Sequence, residues 1–369
     1  MAWVNRSSQL CVLTSSFKAH RLVPLNLCSQ STNPSMKKNL LHTIAILFTL
    51  ALCVSGCGAT VNHNAISANG NTSNSLPSTT TTILPSPRST TTVASKAQFK
   101  HPHVFVILME NLGYSAALGT PELHALASKW AYASNYYATT HPSLPNYLSL
   151  IGGSTFSITT DCTSCYVNSN NLPTELTQHS ISWGAYMESI PSDCYLPPYA
   201  PSGLYAGKHD PFRYFDNIRS STTLCSNIQP LHTLENTLAN SSSSLPHFIW
   251  ITPNICNDGH NCSASVAANW LGNMISKITS SSAWQDNGAL YVTWDEGNGG
   301  DYRGLNSTGS IAPNGGGGHV LTLVIEPGLK HGTILPQLTD HYGLLKSIEN
   351  NFHVPLLGLS ANSSLATLP

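Results

Sequence analysis

The sequence predicts an α/β domain in which helices flank both faces of a central, mostly parallel β-sheet. Segments with helical spacing separate several apolar runs, and strands that alternate with helices favour a parallel sheet. The roughly 270 residues from Phe99 onwards are enough to form one large core. Continuous apolar runs are typical of strands buried on both faces, and four such runs cover residues 103–109, 247–252, 289–294 and 319–325.

Helix start and stop signals place the helices between these strands. A capping hydroxyl followed by proline predicts a helix that begins at residues 120–121. Residues 143–151 predict a short helix that two glycines at 152–153 end. Residues 339–340 are predicted to cap a last helix through Ile348. The buried face of a further helix is predicted at four apolar positions with helical spacing: Val266, Trp270, Met274 and Ile278.

The charge balance argues against a protein that binds nucleic acid. The 369 residues include 16 Lys+Arg and 17 Asp+Glu, so the basic excess of such proteins is missing. Charged residues make up 9% of the chain, which is low for a cytosolic domain. Serine, threonine, asparagine and glycine supply the polarity instead, as in many secreted proteins. We therefore expect an exported protein without a nucleic-acid partner.

The N-terminal part of the sequence reads as an export signal. Residues 1–35 lack hydrophobic periodicity, and we expect the mature protein to lack them, with translation starting at Met36. Residues 36–57 join a basic start to an apolar stretch too short to span a bilayer comfortably, as in a signal peptide. The stretch ends in V-S-G-C, which resembles a bacterial lipobox, so Cys57 is the predicted lipidation site. An ordinary cleavage site or a membrane anchor is the alternative.

A polar tract joins this signal to the domain. Residues 58–98 are rich in serine, threonine, asparagine and proline, and such a tract buries too little apolar surface to fold. We expect it to be a flexible tether between a lipid anchor in the membrane and the domain at residues 99–369. The predicted location is therefore the cell surface, with secretion as the alternative.

Six cysteines after Cys57 predict disulfide bonds. An even number of cysteines in an exported chain favours pairing. A zinc site at C-T-S-C is the alternative, although no second C-x-x-C follows it. We expect two local pairs and one longer pair: Cys162–Cys165, Cys256–Cys262 and Cys194–Cys225.

Two predicted strands end in adjacent polar side chains. Glu110 and Asn111 follow the first strand, and Asp295 and Glu296 follow the third. Ligands of open α/β sheets bind beyond the carboxyl ends of the strands, so both pairs are expected at one edge. Three carboxylates and an amide there would repel one another without a cation, and oxygen ligands suit a divalent metal ion. The alternative is that each acid merely begins a solvated loop.

The segment T-H-P-S-L-P-N-Y contains the predicted nucleophile. Ser143 would lie at the start of a helix with Pro145 in its first turn, where free N–H groups and the helix dipole favour a phosphoryl group. A metal bound to the Ser143 oxygen would lower its pKa and create an alkoxide. The alternative is a plain N-cap serine. His141 precedes the nucleophile and is a weaker candidate that would only pack there.

Taken in order, these motifs resemble those of a known family. The chain reads an apolar strand into E-N, then T-H-P-S-L-P-N-Y-L, Y-A-G-K-H-D-P-F, T-P-N-I-C-N-D-G-H and W-D-E-G. This order resembles the bacterial phosphoesterase family of acid phosphatases and phosphatidylcholine-type phospholipases C, within the alkaline phosphatase superfamily. The resemblance covers about residues 102–352. It implies an alkaline-phosphatase-like fold with helices on both faces of the sheet.

The resemblance also implies roles for individual residues. It makes Ser143 the nucleophile, and S-L-P-N resembles the T-F-P-N segment of nucleotide pyrophosphatases, which puts Asn146 beside the phosphate. Tyr147 stands where sulfatases have arginine, which argues against a sulfatase. Phospholipase members commonly continue E-N-R-S-F-D where this chain reads E-N-L-G-Y-S, so the substrate contacts stay open. The implied metal ligands are Glu110, Asn111, Ser143, Asp295 and Glu296.

The remaining polar clusters are weaker candidates. Lys208 and His209 would bind phosphate oxygens, with a solvated loop as the alternative. Asp258 and His260 lie between two cysteines and would bind phosphate, form a second metal site or protonate the leaving group. His319 follows four glycines and reaches the same edge if its strand is antiparallel, with the glycines as a mobile lid or a close backbone approach.

The sequence therefore predicts an exported, metal-assisted phosphomonoesterase. Ser143 would form a phosphoserine, and His260 or His319 would protonate the departing alkoxide. A phospholipase C or another phosphodiesterase is the first alternative, and a lipoprotein that binds a ligand without turnover is the second. The expected substrate is a small phosphate ester or a phospholipid headgroup. The identity and number of the divalent metal ions stay open.

Overall fold

The computed structural model describes residues 99–240, 245–362 and 364–369, and two short strands near the N-terminus. The chain divides into two units, residues 1–89 and 90–369. In the first unit, strand β1 (Val12–Thr14) pairs antiparallel with β2 (Leu25–Leu27). The predicted signal peptide, the lipidation site at Cys57 and the tether lie outside the described residues.

An eight-stranded sheet forms the centre of the second unit. Its spatial order is β13-β4-β12-β9-β3-β8-β6-β7. Five of its neighbouring pairs are parallel, and β12 pairs antiparallel with both β4 and β9. The small pairs are β10–β11 and β5–β14. The strands are β3 (Val104–Met109), β4 (Ala131–Ala133), β5 (Tyr136–Tyr137), β6 (Trp183–Met187), β7 (Ile228–Pro230), β8 (Phe248–Thr252), β9 (Ala289–Trp294), β10 (Gly304–Leu305), β11 (Ile311–Ala312), β12 (Thr322–Ile325), β13 (Ile334–Leu335) and β14 (Thr339–Asp340).

Helices cover this sheet. Every residue of β3, β8 and β9 is buried, and since successive side chains point to opposite faces, both faces of the central strands are covered. The helices are α1 (Tyr114–Gly119), α2 (Pro121–Lys129), α3 (Ser143–Gly152), α4 (Leu172–Gln178), α5 (Asp216–Arg219), α6 (Thr222–Cys225), α7 (Leu231–Ala239), α8 (Ala264–Thr279), α9 (Ser282–Gln285) and α10 (His341–Phe352). Short 3₁₀ turns span Gly207–His209, Pro211–Tyr214 and Gly358–Ala361.

The predicted α/β fold with a mostly parallel sheet is confirmed. The four apolar runs contain β3, β8, β9 and β12, and β12 begins at Thr322 rather than at residue 319. The helix at 143 ends as predicted, because Gly153 has a left-handed φ of 68° at its C-cap. Asp340 caps α10 by accepting a hydrogen bond from the Gly343 amide.

The predicted buried face of α8 is partly wrong. Val266 is 41% exposed, whereas Met274 and Ile278 are buried as predicted. The helix instead turns a neighbouring stripe of residues towards the core. This stripe includes small alanines, whose burial cannot be read from the spacing of large apolar residues. The buried residues of α8 are Ala267, Ala268, Leu271, Met274, Ile275 and Ile278.

Candidate active site

The parallel register of β3 and β9 brings the two acidic pairs together. Met109 lies opposite Trp294 in this register, so Glu110 and Asp295 leave the sheet side by side at its carboxyl edge. Both carboxyl groups are almost fully buried. The Glu110 amide also donates to the carbonyl of Asp258, which follows β8, at 3.0 Å. Three carboxylates from three neighbouring strands therefore meet at one place.

Asn111 ties the two strand ends together. Its backbone amide donates to Asp295 Oδ1 at 3.0 Å, and its side-chain Nδ2 donates to Glu296 Oε1 at 3.0 Å. These two hydrogen bonds do not use the side-chain oxygen Oδ1, which can therefore bind another group. The backbone of Asn111 is left-handed, with a φ of 42°, a conformation that asparagine tolerates better than most residues.

The first turn of α3 places Ser143 against Glu110. Ser143 Oγ donates to Glu110 Oε2 at 3.1 Å, and the Tyr147 hydroxyl donates to Glu110 Oε1 at 2.5 Å. Residues four apart lie on the same helix face, so one face of α3 supplies both donors. The sequence prediction did not include Tyr147 in the site, although its spacing from Ser143 was a signal that it belongs there.

His209 lies buried between two of the carboxylates. Its Nε2 is 3.2 Å from Glu110 Oε1, and its Nδ1 is 3.2 Å from Asp258 Oδ2. The ring stacks on Tyr147 with the centroids 5.4 Å apart and an interplanar angle of 3°. His209 is only 2% exposed and Asp258 is fully buried, so in this structure both lie beneath the surface that a substrate would touch.

Lys208 and His260 lie on the solvent side of this buried layer. Lys208 Nζ is 3.5 Å from His260 Nε2 and 2.8 Å from Asp161 Oδ2. The His260 amide donates to Asp258 Oδ1 at 2.7 Å, which fixes the loop between Cys256 and Cys262. Two of the predicted groups, one cation and one imidazole, therefore converge on the solvent side of the buried carboxylates.

His141 lies on the other side of the acidic pair. Its Nδ1 is 2.7 Å from Glu296 Oε2, and its Nε2 is 2.9 Å from the carbonyl oxygen of Asp301. Together with Asn111, this contact engages both oxygens of the Glu296 carboxylate. The histidine that the sequence treated as a weak candidate thus orients one of the predicted metal ligands.

His319 lies apart from Ser143 and Glu110. Strand β12 is antiparallel, as the predicted role of His319 as a proton donor required. Its ring stacks between Tyr114 and Tyr137, with centroid distances of 4.1 and 4.9 Å, and its Nε2 faces the Ser134 carbonyl at 2.9 Å. It lines a cavity of about 230 Å³ that also contains Arg303. No described contact joins His319 to Ser143 or Glu110.

Asn146 binds the backbone that precedes Ser143. Its Oδ1 accepts from the amides of Thr139 and Thr140, each at 3.0 Å. Its Nδ2 donates to the carbonyls of Thr140 and Pro142 at 2.8 and 3.0 Å. These four bonds use the full hydrogen-bonding capacity of the amide. The predicted contact between Asn146 and phosphate is therefore corrected to a structural role that holds the segment leading to Ser143.

The electrostatics of the site favour a bound cation. Burial, followed by the charges of Asp295 and Asp258, raises the pKa of Glu110 well above its usual range. Burial and then Glu296 raise the pKa of Asp295, and burial raises the pKa of Asp258 to about 7. Asp295 Oδ2 is buried and has no hydrogen-bond partner among the described residues. A divalent cation would supply the missing positive charge, so the donor set fits one.

Two overlapping groups of side chains offer metal ligands. The predicted group of oxygen donors meets at Glu110, Asn111 and Asp295. A second group joins Glu110 with His209 and His260, whose potential ligand atoms all lie within 4.8 Å of one another. Mixed oxygen and imidazole donors suit zinc and other transition metals better than magnesium. Glu110 belongs to both groups.

The three predicted disulfides are confirmed. Cys162–Cys165, Cys194–Cys225 and Cys256–Cys262 are bonded. The first bond leaves no thiolate at C-T-S-C for the alternative zinc site. Three disulfides are typical of a protein outside the reducing cytoplasm. In the part of the chain that the structure describes, no helix has the length and apolar character needed to cross a bilayer.

Known proteins of similar sequence are phosphatases. The chain is 32% identical to a probable acid phosphatase of Kluyveromyces lactis over 326 residues, which cover 83% of this chain and 73% of the relative. It is 30% identical to a phosphatidylinositol-3-phosphatase of Mycobacterium tuberculosis, over 73% of this chain and 83% of the relative. An acid phosphatase of Aspergillus fumigatus is 29% identical over 69% of this chain. The match covers 55% of that relative, so this chain spans about half of its length.

The fold and the family model complete the comparison. A solved structure of a protein in the alkaline phosphatase superfamily from Vibrio parahaemolyticus has a TM-score of 0.45 and 14% identity, covering 69% of this chain and 67% of that one. The model of the phosphoesterase family matches residues 93–355, which include every described side chain of the site. The chain therefore belongs to the phosphoesterase family and is a phosphoric ester hydrolase.

Proposed function

We propose that the protein hydrolyses phosphate monoesters through a phosphoserine formed on Ser143. The observation that supports this proposal best is the position of Ser143 Oγ at the start of α3, 3.1 Å from Glu110 and beside the buried acidic pair. Acid phosphatases among the relatives support a monoester substrate.

The proposed reaction has two steps. In the first, Ser143 Oγ passes its proton to water and forms a bond to phosphorus, while the bond to the ester oxygen breaks. The departing alkoxide takes a proton from His260, which lies on the solvent side of the site. In the second, water attacks phosphorus from the side that the alkoxide left, gives a proton to His260 and releases phosphate, and Ser143 Oγ takes a proton back from water.

A divalent cation would be held by Glu110, Asn111, Ser143, Asp295 and Glu296. It would neutralise the negative charge of the phosphoryl oxygens and make the serine hydroxyl more acidic. The protein supplies the geometry for this role, because Asn111 fixes Glu296 and Asp295 and leaves its own amide oxygen for a ligand. Lys208 supplies a further positive charge for a phosphoryl oxygen.

A phosphoinositide monoester is the second candidate substrate. One relative is named a phosphatidylinositol-3-phosphatase, and the match spans 83% of it. A lipid headgroup would suit a domain that a lipidated Cys57 and a tether hold close to a membrane. We propose this anchor on the sequence pattern alone. Mass spectrometry of the mature N-terminus tests it, since an unmodified residue other than Cys57 would rule it out.

The nucleophile is tested by replacing Ser143→Ala. We expect loss of nearly all hydrolysis of an aromatic phosphate monoester, and loss of the phosphoserine that rapid acid quenching and mass spectrometry detect in the native enzyme. Ser149→Ala is the matched control, because Ser149 lies on the same helix and its hydroxyl contacts the Pro145 carbonyl at 2.8 Å and the Tyr342 hydroxyl at 3.3 Å rather than the acidic pair. Full activity of the Ser143 variant would refute the assignment.

A further inference from the structure

An acid outside the predicted site joins the nucleophile helix to Lys208. Asp161 Oδ1 accepts from the amide of Leu144, the residue after Ser143, at 3.0 Å. Asp161 Oδ2 accepts from Lys208 Nζ at 2.8 Å. One carboxylate thus fixes the lysine relative to the first turn of α3. The Leu144 N–H belongs to the helix start that was predicted to bind phosphate. Because Asp161 already accepts from it, phosphate would have to bind other donors.

The segment that carries Asp161 is itself held in place. The next residue, Cys162, forms a disulfide with Cys165. The Tyr214 hydroxyl donates to the Cys162 carbonyl at 2.9 Å, and Arg213 Nη1 donates to the Thr163 carbonyl at 3.4 Å. Arg213 and Tyr214 lie a few residues after Lys208, and both are buried. The acid and the lysine that it binds are therefore fixed to the same piece of the fold.

Lys208 needs such a partner to stay in one place. A lysine side chain has a flexible stem of four carbons and loses about 2 kcal/mol of rotamer entropy when it is held in a single position. Its ammonium has three N–H donors. One donor points to Asp161 and a second faces His260 Nε2 at 3.5 Å. A third remains for a ligand oxygen.

We propose that Asp161 is a positioning residue that holds the Lys208 ammonium beside Ser143, where it binds a phosphoryl oxygen of the substrate. This inference rests on the proposed function, in which Lys208 contacts the phosphate. The Asp161–Lys208 pair is partly buried, with side-chain exposures of 29% and 21%, so solvent competes for it less than at an open surface. Asp161 acts through Lys208 and does not touch the substrate.

The test replaces Asp161→Asn, which keeps an acceptor for the Leu144 amide and removes the charge that holds Lys208. We expect the KM for an aromatic phosphate monoester and the inhibition constant of inorganic phosphate both to rise about tenfold, with kcat changed less than about twofold. Asp193→Asn is the matched control, because Asp193 is exposed and also directly precedes a disulfide cysteine, Cys194. It should leave both constants unchanged.

A double-mutant cycle with Lys208→Met separates positioning from a general structural role. If Asp161 acts through Lys208, Asp161→Asn has no further effect on phosphate inhibition in the Lys208→Met protein. Additive effects would overturn the inference. So would tighter phosphate binding by Asp161→Asn alone, which would mean that the acid mainly repels the substrate. Because the cycle measures phosphate binding, its result is independent of whether Ser143→Ala abolishes turnover.

Discussion

His141 Nδ1 lies 2.7 Å from a carboxylate oxygen of Glu296. The other ring nitrogen faces the Asp301 carbonyl at 2.9 Å, so both nitrogens of the ring face acceptors. A ring in this setting orients Glu296, and residues that hold a metal ligand in place commonly change metal affinity when they are removed.

His141→Ala should therefore weaken divalent metal binding by roughly 10- to 100-fold. Titration calorimetry of the metal-free enzyme with Mg²⁺, Mn²⁺ and Zn²⁺ in turn would measure the effect directly. His124→Ala is the control, because His124 is an exposed histidine of α2. Unchanged affinity for every metal in the His141 variant would show that Glu296 needs no such support.

His260 and His319 are distinguished by their surroundings. His260 is exposed next to Lys208, whereas His319 is stacked between two tyrosines and faces a backbone carbonyl. We expect His260→Ala to lower kcat about 100-fold for an alkyl phosphate, whose leaving group needs a proton, and much less for a nitrophenyl phosphate.

His319→Ala is the comparison for that experiment. It should lower kcat for both esters by a similar, small factor, because the ring packs between two tyrosines and is not placed to protonate a leaving group. A larger and leaving-group-dependent loss in the His319 variant would reverse the two assignments. Single-turnover kinetics would measure the rate constant of the chemical step separately from phosphate release.

Glu349 makes stability depend on pH. It is fully buried, its carboxylate accepts from the Leu357 amide at 2.9 Å and from Ser360 Oγ at 2.6 Å, and burial raises its pKa from 4.5 to about 7. A carboxyl with a raised pKa in the folded state favours folding below its unfolded pKa, and this contribution is lost as the pH rises through the folded value. The free energy of unfolding should therefore fall between pH 4.5 and about 7.

Glu349→Gln isolates this contribution. One proton gives a slope of about 1.4 kcal/mol per pH unit within the window, and the variant should lose that part of the slope. Buried Asp210 and Asp340, each with a pKa raised to about 6, add slopes of the same sign and remain in both proteins. Denaturant unfolding at several pH values in this window measures the difference, and parallel curves for the two proteins would contradict the prediction.

The three disulfides should contribute unequally to stability. Loop-closure entropy grows with the length of the closed loop, so Cys194–Cys225, with a separation of 31 residues, should contribute about 4 kcal/mol and Cys162–Cys165, with a separation of 3, about 2 kcal/mol. Replacing each pair by alanine and measuring unfolding tests this order. The Cys162–Cys165 variant should also raise the KM through the loosened Asp161, and the Cys194–Cys225 variant should not.

The sequence predicted that the strand-end acids and Ser143 would lie together, because strand periodicity and strand ends are local signals. The apolar runs of β3 and β9 located Glu110 and Asp295, and helix-start signals located Ser143. Strand β6 was missed because Gly184 interrupts its short apolar run. The Asp161 contacts span 17 and 47 residues along the chain, and no spacing rule connects positions that far apart.

Asn146 shows a different limit. Its residue type and place after Ser143 suit a phosphate contact, yet its amide is fully used by four backbone groups. Whether a polar side chain faces a ligand or its own backbone depends on the path of the chain around it. That path is a tertiary property, so residue type alone could not decide between the two.

The left-handed backbone of Asn111 restricts how this enzyme can be engineered. Glycine would adopt the same φ of 42° but would leave Glu296 without its amide donor. Aspartate would keep the side-chain shape and add another negative charge to a site already crowded with carboxylates. A β-branched residue would oppose the backbone conformation itself. Engineering of the site therefore has little freedom at position 111, where one residue must satisfy the backbone, the charge balance and the contact with Glu296 at once.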